Sequence, residues 1–382
     1  MLGIIAVGLA GTIRDLASRV HPLFAHVFVA AIYLAIGPCL AIPRTSSTSF
    51  EMFEPLLPAG LSLEVARLVF SVVFFAVAYL LAMHPNALTR LLGRITGPAL
   101  IALLVFVIGA ALFDPASGLE AAHATYASAP AMSGFLTGYQ TMDLLASLTF
   151  GIVIATNIRE LGVTDDAGLT REVSRAGIFA GVLMGIIYCG LALVGVNIAA
   201  VLPGATNGAE ILAASAGQHF GTVGTVVVAA IFLLACLNVC IGLISCCGTY
   251  FSDEFSRIPY RVWALGFAVF SCVVSNFGLD AILTFSVPLL NAMYPMAIVL
   301  VVMGILHKVC DGMPAVWPCA VGLTAVVSIA TSLRDAFFTG AWLPFDVLPF
   351  ADLGMNWVVP ALLGVLIGVV VSFAGKKLQS AS

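Results

Sequence analysis

GTVGTVVVAAIFLLACLNVCIGLISCCGTYF, residues 221–251, carries not one Asp, Glu, Lys or Arg. About 20 apolar helical residues cross the roughly 30 Å of hydrocarbon in a bilayer, so this stretch is long enough to span a membrane. Outward from it, apolar segments of the same kind lie near 1–13, 24–43, 62–83, 95–113, 141–157, 176–201, 260–276, 280–306, 314–333 and 356–374. The segment at 1–13 is short for a span. The expected fold is an all-α integral membrane protein with about eleven transmembrane helices.

Composition excludes the soluble classes. The chain is 61% apolar and 9% charged, with a mean hydropathy of +1.13, whereas a soluble surface needs roughly a quarter of its residues charged. No composition shift or low-complexity linker marks a second domain, so residues 1–382 read as one membrane domain. The net charge of −4 implies no nucleic-acid partner. Its acidic excess falls in outer gaps such as Asp114–Glu120 and Asp335–Asp352. Cys39, Cys189, Cys236, Cys240, Cys246, Cys247, Cys272 and Cys319 lie in or at the edge of apolar segments, where a thiol packs as a small apolar group, and disulfides are not expected. Cys236, Cys240 and Cys247 share a helical face, but no His or carboxylate joins them at metal-ligand spacing, and a packing role outweighs a soft-metal site. There is no HExxH, GxSxG or P-loop motif, which argues against an enzyme.

The basic residues set a topology. They occupy alternate gaps: Arg14 and Arg19; Arg90 and Arg94; Arg159, Arg171 and Arg175; Arg257 and Arg261; Lys308; Lys376 and Lys377. Arg44, Arg67 and Arg334 fall on the other side. Basic gaps stay in the cytoplasm, which places the C-terminus there and runs segment 1–13 inward from outside. That direction leads to the expectation of one further helix ahead of Met1. A secretory signal peptide is the rival reading of 1–13, and it lacks a basic leader and a small-residue cleavage pattern.

Irregular backbone at membrane depth is tolerated only where it is buried or lines a wet cavity, so breaks point to function. Ile36-Gly37-Pro38, with Pro43 beyond it, predicts a kink, serving either packing or a site. GYQTMDLLASLTFG, residues 138–151, sets Ser147, Thr149 and Asp143 between two glycines. This is the material of an unwound site for a zwitterion or cation, although the hydroxyls could equally serve helix packing and Asp143 could sit in a first helical turn. SVPLLNAMYP, residues 286–295, sets Pro288 and Pro295 about Asn291 and predicts a bent or broken helix, either a gate or a structural double kink. Asn238 and Ser245, seven apart on one face, could ligate a hard cation or bond between helices. Arg44, with Glu51 seven residues on, either anchors a substrate carboxylate or snorkels to the interface.

The blocks AIYLAIGPCLAIPRTSSTSFE (31–51), GYQTMDLLASLTFGIVI (138–154), LLACLNVCIGLISCCGTYF (233–251) and NAMYPMAIVLV (291–301) resemble, in order and across nearly the whole length, the bacterial branched-chain amino acid:cation symporter family. The resemblance implies a leucine-transporter-like inverted-repeat fold of twelve helices in the cytoplasmic membrane, with 1–113 as the remainder of the first repeat, 134–306 as the second and 314–374 as two additional helices. It implies uptake of leucine, isoleucine and valine coupled to Na⁺, with no other cofactor and no metal site beyond one for Na⁺. The expected substrate-binding residues are Tyr33, Gly37, Pro38, Asp143, Ser147, Leu148, Phe150 and Gly151. Those for the cation are Thr149, Asn238 and Ser245. The helix around Ser147 to Gly151 would be the broken one opening the second repeat, and its Gly- and Pro-rich counterpart would precede Met1. Family members carry paired Thr or Ser where this chain has Asn238 and Val239; the valine offers no oxygen, which keeps H⁺ coupling open, with Asp143 as the buried carboxylate. A truncated, non-transporting or regulatory member of the family is the alternative.

Overall fold

The computed structural model describes residues 1–379 apart from 59, 61, 84–86, 114–124, 164, 200, 201, 203, 204, 311 and 339. The acidic run Asp114–Glu120 thus lies outside the described residues. Among the described residues there is no strand. The helices are α1 (Leu2–Ala10), α2 (Ile13–Ser18), α3 (Pro22–Leu34), α4 (Ala41–Phe53), α5 (Leu63–Met83), α6 (Ala87–Phe113), α7 (Thr125–Ser128) and α8 (Pro130–Thr137). They continue with α9 (Asp143–Glu160), α10 (Asp166–Ala199), α11 (Gly208–Glu254), α12 (Tyr260–Ser275), α13 (Leu279–Ile305), α14 (His307–Cys310), α15 (Val316–Phe337) and α16 (Val358–Gln379).

Each expected apolar segment coincides with a helix. Seven runs among the described residues are long and apolar enough to cross a membrane, and shorter apolar helices lie at Tyr260–Ser275 and Val358–Ala374. The decisive stretch at 221–251 begins where α11 breaks, at Gly221, whose φ of 61° belongs to the left-handed region; glycine enters that region without a Cβ penalty. Local signals set the helix starts. Thr12 and Asp15 form a reciprocal capping box ahead of α2, and the Asn207 side chain accepts from the amides of Ala209 and Glu210 at 3.1 and 3.0 Å to open α11.

The chain forms two compact units, residues 1–32, 122–182 and 285–382 in one, and 33–121 with 183–284 in the other. In the first unit, α1 lies along α9 with Gly3 against Ser147 and Val7 against Gly151. This register, 3 on 147 and 7 on 151, runs the two helices in the same direction. Gly304 of α13 packs on Leu16 and Ala6, and the Arg19 guanidinium lies over the Trp317 ring at 5.1 Å. In the second unit, α4, α11 and α12 surround the kink after α3, while Phe106 of α6 stacks on Phe220 of α11 at 4.7 Å. An apolar cluster of Met52, Val107, Ala111, Val194, Ile198 and Ala213 fills its interior.

One loop of the first unit has a charged anchor. Arg334, at the end of α15, bonds Asp335 at 2.8 Å and also Asp346. The Leu343 amide donates to Asp346 at 2.8 Å. That amide, and then the guanidinium, hold the Asp346 carboxyl below its ordinary value. A lowered carboxylate pKa stabilises the fold above the unfolded-state value, about 4 for Asp, and the contribution is lost as pH falls through the lowered value. Amide exchange across 343–348, corrected for its chemical pH dependence, is therefore expected to stay protected down to about pH 4 and to open below it. Asp346→Asn should open the loop already at neutral pH.

Candidate functional site

The kink expected at Gly37-Pro38 is present. Between α3 and α4 the chain makes one wide, π-type turn over Ala35–Cys39, with Gly37 at φ −95°, ψ −122°. The proline lacks an N–H, so backbone carbonyls around it lose helical partners, and in hydrocarbon such groups must be satisfied. Side chains from two other helices supply the donors. The Cys247 thiol of α11 donates to the Tyr33 carbonyl at 3.4 Å, and the Ser271 hydroxyl of α12 donates to the Pro38 carbonyl at 3.3 Å. The Tyr33 ring stacks on Tyr250 with centroids 4.0 Å apart and an interplanar angle of 8°. Gly37 and Pro38 are buried, and a Cβ on Gly37 would stand 2.7 Å from the Cys247 sulfur.

Thr45, Ser46, Ser47 and Ser49 of α4 are all buried, a set the sequence reading did not assign to the site. Ser47 donates to the Ser275 carbonyl of α12 at 3.1 Å, while Thr45 and Ser49 bond back to the carbonyls of Ile42 and Thr45 at 2.6 and 2.8 Å. The signal was legible: RTSSTS, residues 44–49, is a run of hydroxyls directly following the apolar segment 24–43.

On α11, Cys240 and Cys247 are both buried, and Cys247 faces this kink. Asn238 and Ser245 occupy the opposite face of the same helix by the 3.6-residue period, and both are half-buried. The Ser245 hydroxyl lies 3.4 Å from that of Tyr260, which donates to the Ala82 carbonyl at 3.1 Å. The second unit thus brings together Tyr33, Gly37 and Pro38, and sets Asn238 and Ser245 on a separate helix face.

The stretch 138–151 differs from expectation in where it unwinds. The break lies at its start: Gly138–Thr141 is a tight turn, and Met142 takes a left-handed φ of 60°, which costs a non-glycine residue on the order of 1–3 kcal/mol. From Asp143 to Glu160 the helix is continuous. Ser147 to Gly151 are therefore regular helix, not unwound backbone. The physical reason is in their bonding and packing. Ser147 donates back to the Leu144 carbonyl at 2.7 Å and Thr149 to that of Ala146 at 2.9 Å, while Gly151 admits Val7, whose Cγ1 would meet a Cβ there at 2.9 Å. Leu148 and Thr149 are buried and Phe150 is half-buried. Asp143, expected as a buried carboxylate, is exposed in the first turn of α9, where the positive end of the helix dipole favours an acidic side chain. The segment 286–295 is likewise unbroken, since α13 runs continuously through Pro288 and Pro295.

Two cavities flank these features inside single units. In the first unit, a space of about 380 Å³ is lined by Gly8, Thr12, Gly151, Arg159 and Thr170, among others. In the second, one of about 290 Å³ is lined by Arg44, Thr48, Asn207 and apolar side chains. Among the described residues no group of three His, Cys, Asp or Glu side chains is placed to hold a metal ion.

Long apolar helices interrupted at Gly37-Pro38 and at Met142, with the freed carbonyls at Gly37-Pro38 met by side chains, define a multi-pass α-helical membrane protein built around broken spans. Residues 1–374 match the family described as branched-chain amino acid transport protein. The chain belongs to that family. It is 36% identical to a branched-chain amino acid permease, BraB, of Bacillus subtilis over 99% of this chain and 86% of the relative. It is 37% identical to the branched-chain amino acid transport system 2 carrier protein of Pseudomonas aeruginosa over 90% and 78%. With BrnQ, a permease of Escherichia coli, it shares 31% identity over 97% and 84%. These relatives are transporters, not enzymes.

Proposed function

We propose that the protein is a secondary active symporter that imports leucine, isoleucine and valine across the cytoplasmic membrane of a bacterium, coupled to Na⁺. The observation that carries this reading is the family match along residues 1–374, supported by relatives that are branched-chain amino acid permeases and carriers. An aliphatic side chain needs an apolar pocket, and groups such as Leu148 and Phe150 suit it. The ammonium and carboxylate of the substrate need backbone dipoles, which broken helices offer. Tyr33, Gly37 and Pro38 are the proposed substrate contacts on the α3–α4 kink, and Asp143, Ser147, Leu148, Phe150 and Gly151 those on α9. Thr149, Asn238 and Ser245 are the proposed Na⁺ ligands, each offering an oxygen. The fold is proposed to be the leucine-transporter-like inverted repeat with a cytoplasmic C-terminus. The exposure of Asp143 weakens the case for a buried proton carrier there and favours Na⁺ over H⁺.

The test is uptake of radiolabelled leucine by the full-length protein in proteoliposomes. An inward Na⁺ gradient is expected to drive accumulation that excess isoleucine or valine abolishes and excess lysine does not, and a pH gradient alone is expected to drive none. Asp143→Asn should keep Na⁺-driven uptake. Uptake driven by the pH gradient and lost in Asp143→Asn would assign the coupling to H⁺; no accumulation under either gradient would sink the symporter reading.

A further inference from the structure

The cavity of about 290 Å³ in the second unit is walled by four helices, α4, α10, α11 and α13. Arg44, Thr48 and Met52 reach it from one stripe of α4, four residues apart. Arg44, Thr48 and Asn207 at the start of α11 are its polar lining residues, whereas Val194, Phe232 and Leu283 are among its apolar walls. A guanidinium that only snorkels carries its charge out to water; Arg44 is half-buried and lines the cavity, which fits the anchoring role. Its planar fork matches a carboxylate in bidentate fashion, and the positive end of the α11 dipole adds to the same field.

Beside that end stand two carboxylates. Asp280 accepts from the Asn207 amide group at 3.1 Å, and Glu210 accepts from the Thr206 amide at 2.9 Å. Neither carboxylate is itself a lining residue; Asp280 adjoins the cavity through its bond to the lining Asn207, and Glu210 sits in the first turn of α11 beside it. A cation for a carboxylate, acids for an ammonium and aliphatic walls for a side chain together describe an α-amino acid with a branched apolar side chain. Size agrees, since pockets for small ligands begin at about 300 Å³, too little for a lipid or a peptide.

We propose that this cavity is a second binding site for a branched-chain α-amino acid, distinct from the transport site, with the ligand carboxylate on Arg44. The proposal rests on the transport reading above for the class of amino acid available to it. None of its lining residues belongs to the proposed transport site, so the two sites can be counted separately.

The experiment is equilibrium binding of radiolabelled leucine to the purified full-length protein. Two leucines per chain are expected. Arg44→Gln should weaken one of the two by at least about tenfold, the loss of a charge-assisted carboxylate contact, and Val194→Trp, which fills the cavity, should remove the same one. Size-exclusion profiles establish that each variant is folded. In the unaltered protein, leucinol, which lacks the carboxylate, should fail to compete at this site. A single leucine per chain that persists in both variants would overturn the second site and leave the transport reading standing. Two leucines undisturbed by either variant would overturn it equally, and no leucine bound to the unaltered protein would overturn both readings.

Discussion

Gly368→Leu is expected to separate α15 from α16 and to destabilise the protein severely, with Gly364→Leu doing the same one turn away. A Cβ on Gly368 would collide with the Val316 Cα and lie 2.7 Å from the Ala315 carbonyl oxygen, and one on Gly364 would lie 2.5 Å from the Cys319 carbonyl oxygen and 2.6 Å from the Ala320 Cα. The obstacle in each case is backbone, which cannot rotate aside as a side chain can. In lipid there is little hydrophobic drive to bring helices together, so they associate through close van der Waals approach over small residues, and glycines four apart on one face are the recurrent device. Separation would also cost the bond from the Ala315 amide to the Ser372 hydroxyl, now 3.2 Å. Overpacking typically costs about 1–3 kcal/mol, more when nothing can yield, and the double variant is expected to fail to reach the membrane folded. Gly322, in the interior of α15, has nothing within 4 Å of a Cβ position. Gly322→Ala should therefore be tolerated or stabilise by up to about 1 kcal/mol through helix propensity. Thermal aggregation in detergent, followed by size exclusion, measures each of these variants, and a Gly368→Leu protein as heat-stable as the unaltered one would refute the close contact.

That glycine pair shows where the sequence was legible and where it was not. Apolar length is a local property, and it located the long apolar helices, including α11 from its break at Gly221 onward, but not the short α7, α8 and α14, whose residues are too few or too polar to register as spans. Proline and glycine chemistry is also local, and it located the kink at Gly37-Pro38, where a missing N–H sits beside a residue with no Cβ to hold it in the helical region. The same reasoning misplaced the unwinding in 138–151. Serine, threonine and glycine in a membrane helix serve packing as readily as they serve a site, and only the arrival of α1 against Ser147 and Gly151 decides between the two. That decision depends on contacts across about 144 residues of chain, which no local pattern encodes. Pro288 and Pro295 do not break α13, which continues through both: proline in a long apolar helix is tolerated where neighbouring groups re-satisfy the backbone. The burial of Asp143 fails for a similar reason, since its position in the first turn of α9 depends on where the preceding break falls. Gly364 and Gly368 stand four apart in LLGVLIGVV, a spacing that suits close helix packing, but only the structure supplies their backbone partner on α15.

The second large effect is expected at the α3–α4 kink. Gly37→Ala places a methyl group 2.7 Å from the Cys247 sulfur and 3.6 Å from its Cβ, closer than packed atoms sit, in a region where both residues are buried. Relief requires either α11 to move or the thiol to leave the Tyr33 carbonyl it now bonds at 3.4 Å. Either response exposes a backbone carbonyl that the break at Pro38 has already deprived of a helical partner, so the substitution acts on packing and on bonding together. A loss of about 1–3 kcal/mol is expected from the overlap, with leucine uptake falling in proportion or further, because the kink carries the proposed contacts at Tyr33, Gly37 and Pro38. The obstacle here is a side chain, and that makes the effect reversible by design. Cys247→Ala alone removes one sulfur and one weak bond, a mild change. Combined with Gly37→Ala it vacates the space the new methyl needs, and the double variant should recover most of the lost stability, giving a coupling of about 1 kcal/mol or more in a double-mutant cycle. Additive losses in that cycle would show that the sulfur is not what excludes a side chain at Gly37. Recovered stability without recovered uptake would separate two roles of the cysteine, one in filling space and the other in holding the Tyr33 carbonyl where the transport cycle needs it.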